Sequence, residues 1–280
     1  MADQIHDIPE VSVTRMDFIV EMVQRELAAQ AKMLPLVTNV SEFALPGHAS
    51  VSFPKLGSFS VQKLSQNQRA DAQALTATED QIDLNQLATV QFIVKHQAEL
   101  QSRLRFEESL IQRAASAHAR EVDKDILDEL IDNAAVANNV TYNAGDIEGN
   151  ILDVVQNLDE QNAPEEGRFV IFRPAQKKLL LQVANFIQAD RYGSNVPLVT
   201  GELGQAYGLR FVMSNIASDS FVDGVMVGFH REALGFAFQM DPVIDEQKAI
   251  EYGALSKRVA VDQLYGYKSM QDGVLTVKVA

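Results

Sequence analysis

The chain has 280 residues, of which 46% are hydrophobic and 22% charged, so it carries ample material for a large folded core. It holds no cysteine, which excludes disulfide and thiolate chemistry, and its formal net charge of −14 disfavours direct binding to a phosphate backbone. The N-terminus lacks the apolar core of a secretory signal, and no run approaches the ~18 apolar residues of a membrane span. We therefore expect synthesis in the cytosol and no membrane partner.

The N-terminal residues predict a loose polar arm followed by a short helix. Residues 1–11 are mostly polar, and a helix is expected to start near Thr14, with Asp17 three residues on in a capping-box-like arrangement. The apolar residues that follow are spaced for one helical face. The helix should end before Leu34, which precedes a proline.

Residues 45–95 alternate apolar and polar side chains and predict β-structure. Val51 and Phe53 show the alternation before residues 65–80, and Val90 and Phe92 show it afterwards. The stretch between them has scarcely a bulky apolar residue, so it cannot bury a core of its own. We expect two long β-arms that carry a polar tip, which is either disordered or packed on something else. A plain surface hairpin is the simpler alternative.

A long helix is predicted from Phe106 to Asn133, because apolar residues recur about every four positions. At ~1.5 Å per residue it would be about 42 Å long, so it would act as a scaffold element. His118 lies within its apolar stripe and is expected to be a packed, hydrogen-bonded histidine. The basic residues Arg103, Arg105, Arg113 and Arg120 are expected to form a salt-bridged helix face.

The second half of this helix is rich in acidic residues, which raises the question of a calcium site. They are Glu121, Asp123, Asp125, Asp128, Glu129 and Asp132. An EF-hand loop needs glycine at its sixth position, where this stretch has Asp128, and the helical spacing continues through it. A solvated helix face is the preferred interpretation.

The remaining chain predicts a compact α/β unit followed by a β tail. The expected elements are helix Gly149–Leu158, strand Arg168–Phe172, helix Ala175–Ile187, strands Leu209–Ser214 and Val222–Phe229, helix His230–Gln239, and tail strands Arg258–Val261 and Val274–Val279, with Tyr265–Lys268 approaching the last turn. The tail is expected to pair with the earlier β-arms near the long helix.

The sequence contains no recognisable catalytic motif. It lacks a nucleophile elbow, a dinucleotide or Walker loop and the H-E-x-x-H zinc motif; His230-Arg231-Glu232 is missing the second histidine. No catalytic residue, metal ligand or cofactor is predicted. A soluble α/β enzyme that uses acidic residues remains an alternative, because 38 acidic residues always allow some carboxylate pair.

Five short segments occur in an order that resembles one protein family. They are AREVDKDIL (119–127), LDEQNAPEEGRFVIFRP (158–174), GLRFVMSNIA (208–217), FHREALGFAFQ (229–239) and LYGYK (264–268). Their order and spacing resemble the major capsid proteins of tailed bacteriophages with the Hong Kong 97-type fold, over about residues 12–280. The same fold is used by encapsulin-type nanocompartments, which hold protein cargo and are the close rival.

The resemblance implies an α+β fold with named parts. These are an N-arm with a short helix (1–44), an extended β E-loop with its arms (45–95), a P-domain with a long spine helix and the following loop (96–147), a compact α/β A-domain (148–240) and strands that return to the P-domain (241–280). The sharp corner at 158–174 would then be a rigid structural turn near a subunit junction rather than an active site.

The resemblance also implies a non-enzymatic shell subunit with particular partners. It would form hexamers and pentamers of itself, enclose DNA without sequence-specific binding, and meet a portal protein and, on the shell surface, a decoration protein. Because the arm helix is expected near residue 14, we expect a separate scaffolding protein rather than a built-in one. Assembly would occur in the host cytoplasm and the product would be the virion capsid.

Seven residues are candidates for contacts between subunits on segment assignment alone. They are Phe59, Lys63, Asn67, Arg69, Arg103, Arg113 and Arg168. The acidic balance fits a shell wall that does not adhere to packed DNA. Some relatives crosslink a lysine to an asparagine between subunits; Lys63 lies on the β-arm, but no partner signature accompanies it. Arg168 is expected to make an ion pair or a subunit contact.

Overall fold

The structure is a computed structural model that describes residues 31–56, 61–64, 69, 72, 77–95, 106–182, 204–216, 218–249, 251, 256–270 and 273–280. The predicted arm helix near Thr14 lies outside the described residues, as does the part of helix Ala175–Ile187 beyond residue 182. Among the described residues, no helix has both the length and the apolar character needed to cross a membrane.

The described chain contains three α-helices and eleven strands. The helices are α1 (Phe106–Asp132), α2 (Ile147–Glu160) and α3 (Pro174–Leu180). The strands are β1 (Thr38–Asn39), β2 (Ser50–Leu56), β3 (Ala77–Asp83), β4 (Gln86–Lys95), β5 (Arg168–Phe172), β6 (Gln205–Ala206), β7 (Leu209–Met213), β8 (Met226–His230), β9 (Leu234–Lys248), β10 (Ser256–Ser269) and β11 (Thr276–Val279).

A four-stranded sheet, called the long sheet below, has the order β1-β9-β10-β4. β10 pairs antiparallel with β9 on one side and with all ten residues of β4 on the other, from Gln86 opposite Tyr265 to Lys95 opposite Ser256. Helix α1 packs on it through a cluster that includes Ile111 and Val259. The prediction that the tail pairs with the β-arms near the long helix is thus confirmed for β10.

A five-stranded sheet of order β11-β8-β5-β7-β6 forms the second layer of the chain. β5 is buried along its whole length and runs parallel to β7 and antiparallel to β8. Helix α2 covers this sheet with buried side chains such as Ile151 and Val154. The C-terminal half of α1 contributes to the same core cluster, so one helix supports both sheets.

The β2–β3 hairpin is a separate two-stranded sheet in the register Ser50 opposite Asp83 to Leu56 opposite Ala77. Its base is packed, since Val51 and Ile82 lie in a buried cluster with Ala237 of β9. The strand pair therefore extends about 20 Å from this base, at ~3.3 Å per residue.

The predicted helix His230–Gln239 is wrong. A short 3-10 turn at Arg231–Ala233 leads directly into strand β9, which starts at Leu234. Both Phe236 and its neighbour Ala237 are fully buried, so the strand is covered on both faces and shows no clear alternation. Periodicity alone does not separate such a strand from a buried helix.

The tail also departs from its predicted course. The last strand, β11, pairs with β8 in the five-stranded sheet and does not return to the long sheet. β9 already belongs to the long sheet from Leu234, ahead of the expected boundary at residue 240. Tyr265 and Tyr267 lie in the last part of β10, which ends at Ser269 just before the turn to β11, so these residues do approach the last turn.

Candidate functional site

Helix α1 binds the N-terminal segment through a buried carboxylate. Asp123 is 2% exposed, and its two carboxylate oxygens accept hydrogen bonds from the backbone N–H groups of Lys32 and Met33, each at 2.9 Å. These are donors at a helix-like turn that would otherwise have no partner. Asp123 thus fixes where the N-terminal segment joins the long helix.

Other acidic residues of α1 join it to the two sheets. The Tyr265 hydroxyl of β10 donates to Asp125 at 2.6 Å, and the Ser269 N–H donates to Glu129 at 2.9 Å. The Ser220 hydroxyl, in the loop before β8, donates to Asp132 at 2.7 Å. The solvated-face prediction is wrong for Asp123, Asp125 and Glu129, which are buried or half-buried, whereas Asp132 is exposed as predicted. The charge pattern does not reveal the partners, because they are far away in sequence.

Burial shifts the pKa values of the acidic residues on α1. It raises the pKa of Asp123, Asp125 and Glu129, outweighing the hydrogen bonds that lower them. It also raises the pKa of Tyr267 to about 12. A carboxyl whose pKa is raised on folding stabilises the fold less as pH rises from about 4 through the raised value.

His118 is packed and hydrogen-bonded, as predicted. It is 1% exposed, and its Nε2 lies 3.1 Å from the Val261 carbonyl oxygen of β10. Burial lowers the pKa of His118, against the raising effects of this hydrogen bond and of Asp262. Just below about pH 6.5, the histidine is therefore mostly neutral in the folded chain and mostly charged in the unfolded chain.

We expect the free energy of unfolding of His118→Gln to depend less on pH, below about pH 6.5, than that of the wild type. The unfolded wild-type chain takes up a proton below about pH 6.5 and the folded chain does not, so the free energy of unfolding falls as pH drops through this range. The wild type should lose up to about 1.4 kcal/mol per pH unit relative to the variant. Denaturant titrations between pH 7.5 and 5.5 measure this. Parallel profiles for the two chains would contradict the assignment.

The corner at residues 158–174 is built around Arg168. Its guanidinium donates to the carbonyl oxygens of Pro164 and Ala163 at 2.8 and 2.6 Å and forms an ion pair with Asp159 at 2.6 Å. Gly167 has a φ of +85°, a conformation that favours glycine. The corner is thus a rigid structural turn, as predicted.

The expected ion pair of Arg168 is present, and this side chain is only 6% exposed. Its place in a contact between subunits stays a prediction. Nearby, the Nε2 of His230 lies 2.9 Å from the Glu166 carbonyl oxygen and its Nδ1 accepts from the Glu232 N–H at 3.3 Å, so that histidine supports the turn.

Arg168→Met should destabilise the chain by about 2–4 kcal/mol, because two carbonyl oxygens and one carboxylate lose their donor. The exposed Arg210 of the neighbouring strand gives a matched control, and Arg210→Met should change stability by less than about 0.5 kcal/mol. Chemical unfolding measures both. Equal effects would show that the corner does not depend on its buried guanidinium.

The other contact candidates stay predictions. Lys63, Arg69 and Arg113 are exposed. Phe59, Asn67 and Arg103 lie outside the described residues.

Sequence reasoning missed several large apolar side chains that the fold leaves exposed. They include Phe43 (63% exposed), Leu45 (58%), Leu87 (64%) and Val136 (85%). Val61 is 91% exposed. Single exposed apolar residues are common on any surface, so these side chains do not by themselves mark a site.

A cleft of about 360 Å³ separates β4 from the middle of α1. Its strand side is formed by residues 86–90, and its helix side by Ala117, His118, Glu121 and Asp125. The described residues contain no group of three potential metal ligands. The cleft offers strand backbone, carboxylates and an exposed leucine at one place.

The base of the β2–β3 hairpin crosses β10 at Gly266. A Cβ at this position would meet the carbonyl oxygen of Asp83, and the Leu84 Cα would lie 3.1 Å away. Only glycine allows the two backbones to approach this closely. Gly266 lies in the segment LYGYK, so the fold gives that aromatic-glycine segment a physical role.

Comparisons with known proteins decide the family. A family model described as phage capsid protein matches residues 97–274, which is more than half of the chain. The chain belongs to this phage capsid protein family. A search of curated protein sequences finds no match.

Solved structures share the fold of this capsid protein. One from Mycobacterium phage Che8 is 22% identical with a TM-score of 0.74, over 89% of this chain and 91% of that chain. The capsid of cyanophage P-SCSP1u is 15% identical with a TM-score of 0.71, over 87% and 86%. A virus-like particle from Pyrococcus furiosus is 9% identical with a TM-score of 0.62, over 95% and 99%.

The resemblance to tailed-phage capsid proteins and the α+β Hong Kong 97-like fold are therefore confirmed. The capsid protein is a structural subunit of the phage head shell, and the family match favours this over a nanocompartment or an enzyme. Its place is the virion capsid. The domain boundaries drawn from the sequence stay predictions.

Proposed function

We propose that this capsid protein assembles into hexamers and pentamers that close an icosahedral head around the phage genome, with neighbouring subunits bridged by the β2–β3 hairpin. The hairpin with its tip corresponds to the E-loop, α1 to the spine helix, and the five-stranded sheet to the A-domain. The protein performs no catalysis in this role.

The observation that carries this proposal is the state of residues 61–64 beyond strand β2. All four are exposed, with Val61 91% and Leu64 48% exposed. Among the described residues of the same chain, Val61 has almost no cover and Leu64 is only partly covered. A neighbouring subunit would bury them and supply the ordering free energy that the polar tip lacks.

Charge supports enclosure of DNA without specific binding. The formal net charge of −14 opposes adhesion of the wall to packed phosphates. We further propose a separate scaffolding protein, a portal protein at one vertex, a decoration protein on the outer surface, and assembly in the host cytoplasm.

Size-exclusion chromatography followed by negative-stain microscopy tests the proposal. The chain should be expressed alone and together with candidate scaffolding proteins encoded beside it. Closed polyhedra, or tubes and sheets of hexamers, are expected under at least one condition. A monodisperse species near 30.9 kDa under every condition would contradict self-assembly.

A further inference from the structure

A buried histidine forms part of the wall of the cleft between β4 and α1. His118 is 1% exposed, and it lines this space of about 360 Å³ together with Glu121 and Asp125 of the same helix. A water molecule needs only ~30 Å³, so the cleft has ample room for an imidazole ring. A second position for the His118 side chain is thus available beside its present one.

In its present position, called the closed position below, the ring is bonded to the long sheet. Its Nε2 lies 3.1 Å from the Val261 carbonyl oxygen of β10. A carbonyl oxygen only accepts hydrogen bonds, so Nε2 carries the hydrogen of the neutral ring, and Nδ1 is the nitrogen that would take up a proton. The described hydrogen bonds of His118 involve Nε2 alone. An imidazolium in the closed position would therefore bury a charge together with an unbonded N–H group, which is costly.

Glu121 is the carboxylate best placed to receive a charged ring. It lies three residues after His118, on the same face of α1. Its side chain is 54% exposed, and its ion pair with Lys124, at 3.5 Å, is weak because both groups contact solvent. Asp125 is less available, since it already accepts a hydrogen bond from the Tyr265 hydroxyl at 2.6 Å.

The titratable groups around His118 are predominantly acidic. The strand wall of the cleft, residues 86–90 of β4, contains none. Strand β9 packs on α1 through Ile244. The groups on the elements packed against His118 are Glu121, Lys124 and Asp125 of α1, Lys257, Asp262 and Tyr265 of β10, and Asp245 and Glu246 of β9, of which Glu246 is paired with Lys257 at 3.3 Å. This surplus of carboxylates favours an imidazolium once the ring is in the cleft.

We propose that uptake of a proton moves the His118 ring from the Val261 carbonyl into the cleft, where the imidazolium pairs with Glu121. The proton comes from solvent and binds Nδ1, and the hydrogen bond between α1 and β10 at Val261 is lost. The movement is a pH-dependent switch in the contact between the long helix and the long sheet. It concerns the single chain and does not depend on the shell function proposed above.

Acid favours the position in the cleft. Burial lowers the pKa of His118 in the closed position, whereas solvent and the neighbouring carboxylate favour the charged ring in the cleft. The ratio of cleft to closed position therefore rises as the pH falls below about 6.5, by up to about tenfold per pH unit. The rise ends where the buried ring itself takes up a proton.

Nitrogen NMR of the full-length chain, labelled with ¹⁵N and ¹³C, tests the switch in solution or, for assembled particles, in the solid state. The His118→Gln variant identifies the signals of this ring. At pH 7.5 the ring should be neutral and correlate through space with the Val261 carbonyl carbon. At pH 5.5 it should be charged and correlate with the Glu121 carboxylate carbon. His230, which is buried and bonded to the Glu166 carbonyl oxygen, is the internal control and should keep that correlation at both pH values.

Glu121→Gln removes the charge of the proposed partner and retains its shape. The ratio of charged to neutral His118 at pH 6 should fall about three- to tenfold in this variant, because the imidazolium loses its carboxylate. Glu165→Gln, which removes an exposed carboxylate at the corner, is the matched control and should leave the ratio unchanged. A ring that keeps its Val261 correlation at pH 5.5, or equal ratios in the wild type and Glu121→Gln, would overturn the inference.

Discussion

Asp123→Ala should lower the free energy of unfolding by about 2–4 kcal/mol. The change removes both acceptors from the Lys32 and Met33 N–H groups, and an unsatisfied buried donor costs about 1–3 kcal/mol. Met33 is fully buried, so water does not readily replace the carboxylate there. Urea titration of the subunit measures the loss, and we expect a matching loss in particle yield, because the N-terminal segment is released from α1.

Asp132→Ala is the matched control for this prediction. Asp132 lies on the same helix and makes one exposed hydrogen bond, to the Ser220 hydroxyl. Its removal should cost less than about 1 kcal/mol. A stability change for Asp123→Ala as small as that of the control would show that the N-terminal segment does not depend on the buried carboxylate.

Gly266→Ala should destabilise the chain by about 1–3 kcal/mol and reduce shell formation more than stability alone explains. The added methyl group meets the Asp83 carbonyl, and backbone rather than a flexible side chain must shift. This displaces the base of the β2–β3 hairpin and hence the tip that is proposed to reach the neighbouring subunit. Thermal unfolding and particle yield are the two measurements.

Gly145→Ala provides the comparison. Gly145 is exposed, and the nearest atom to an added Cβ is the Asn143 side-chain oxygen at 3.4 Å, an ordinary contact. It should change neither quantity appreciably. Normal shells from Gly266→Ala would mean that the hairpin base tolerates displacement.

Elements with strong local signals could be predicted from the sequence. Helix α1 was expected at 106–133 and is observed at Phe106–Asp132, because its apolar spacing persists for more than seven turns. Strand β5 has the predicted bounds, since it is a short apolar run between a turn and a proline. The order of such segments was also enough to indicate the family.

Features that depend on distant partners could not be predicted. Asp123 and Lys32 are 91 residues apart, so the acidic row of α1 resembled a solvated face until the fold supplied its donors. Strand β9 was mistaken for a helix because both of its faces are buried near Phe236. The contact candidates Lys63 and Arg113 are exposed, but their partners would belong to other copies of the chain.

Cryo-electron microscopy of particles from the co-expressed chain and scaffold tests the central claim most directly. The account predicts a closed icosahedral shell of hexamers and pentamers in which each subunit has the described fold and residues 61–64 contact the next subunit. Particles with another subunit arrangement, or a chain that remains a 30.9 kDa monomer with its scaffold present, would contradict it.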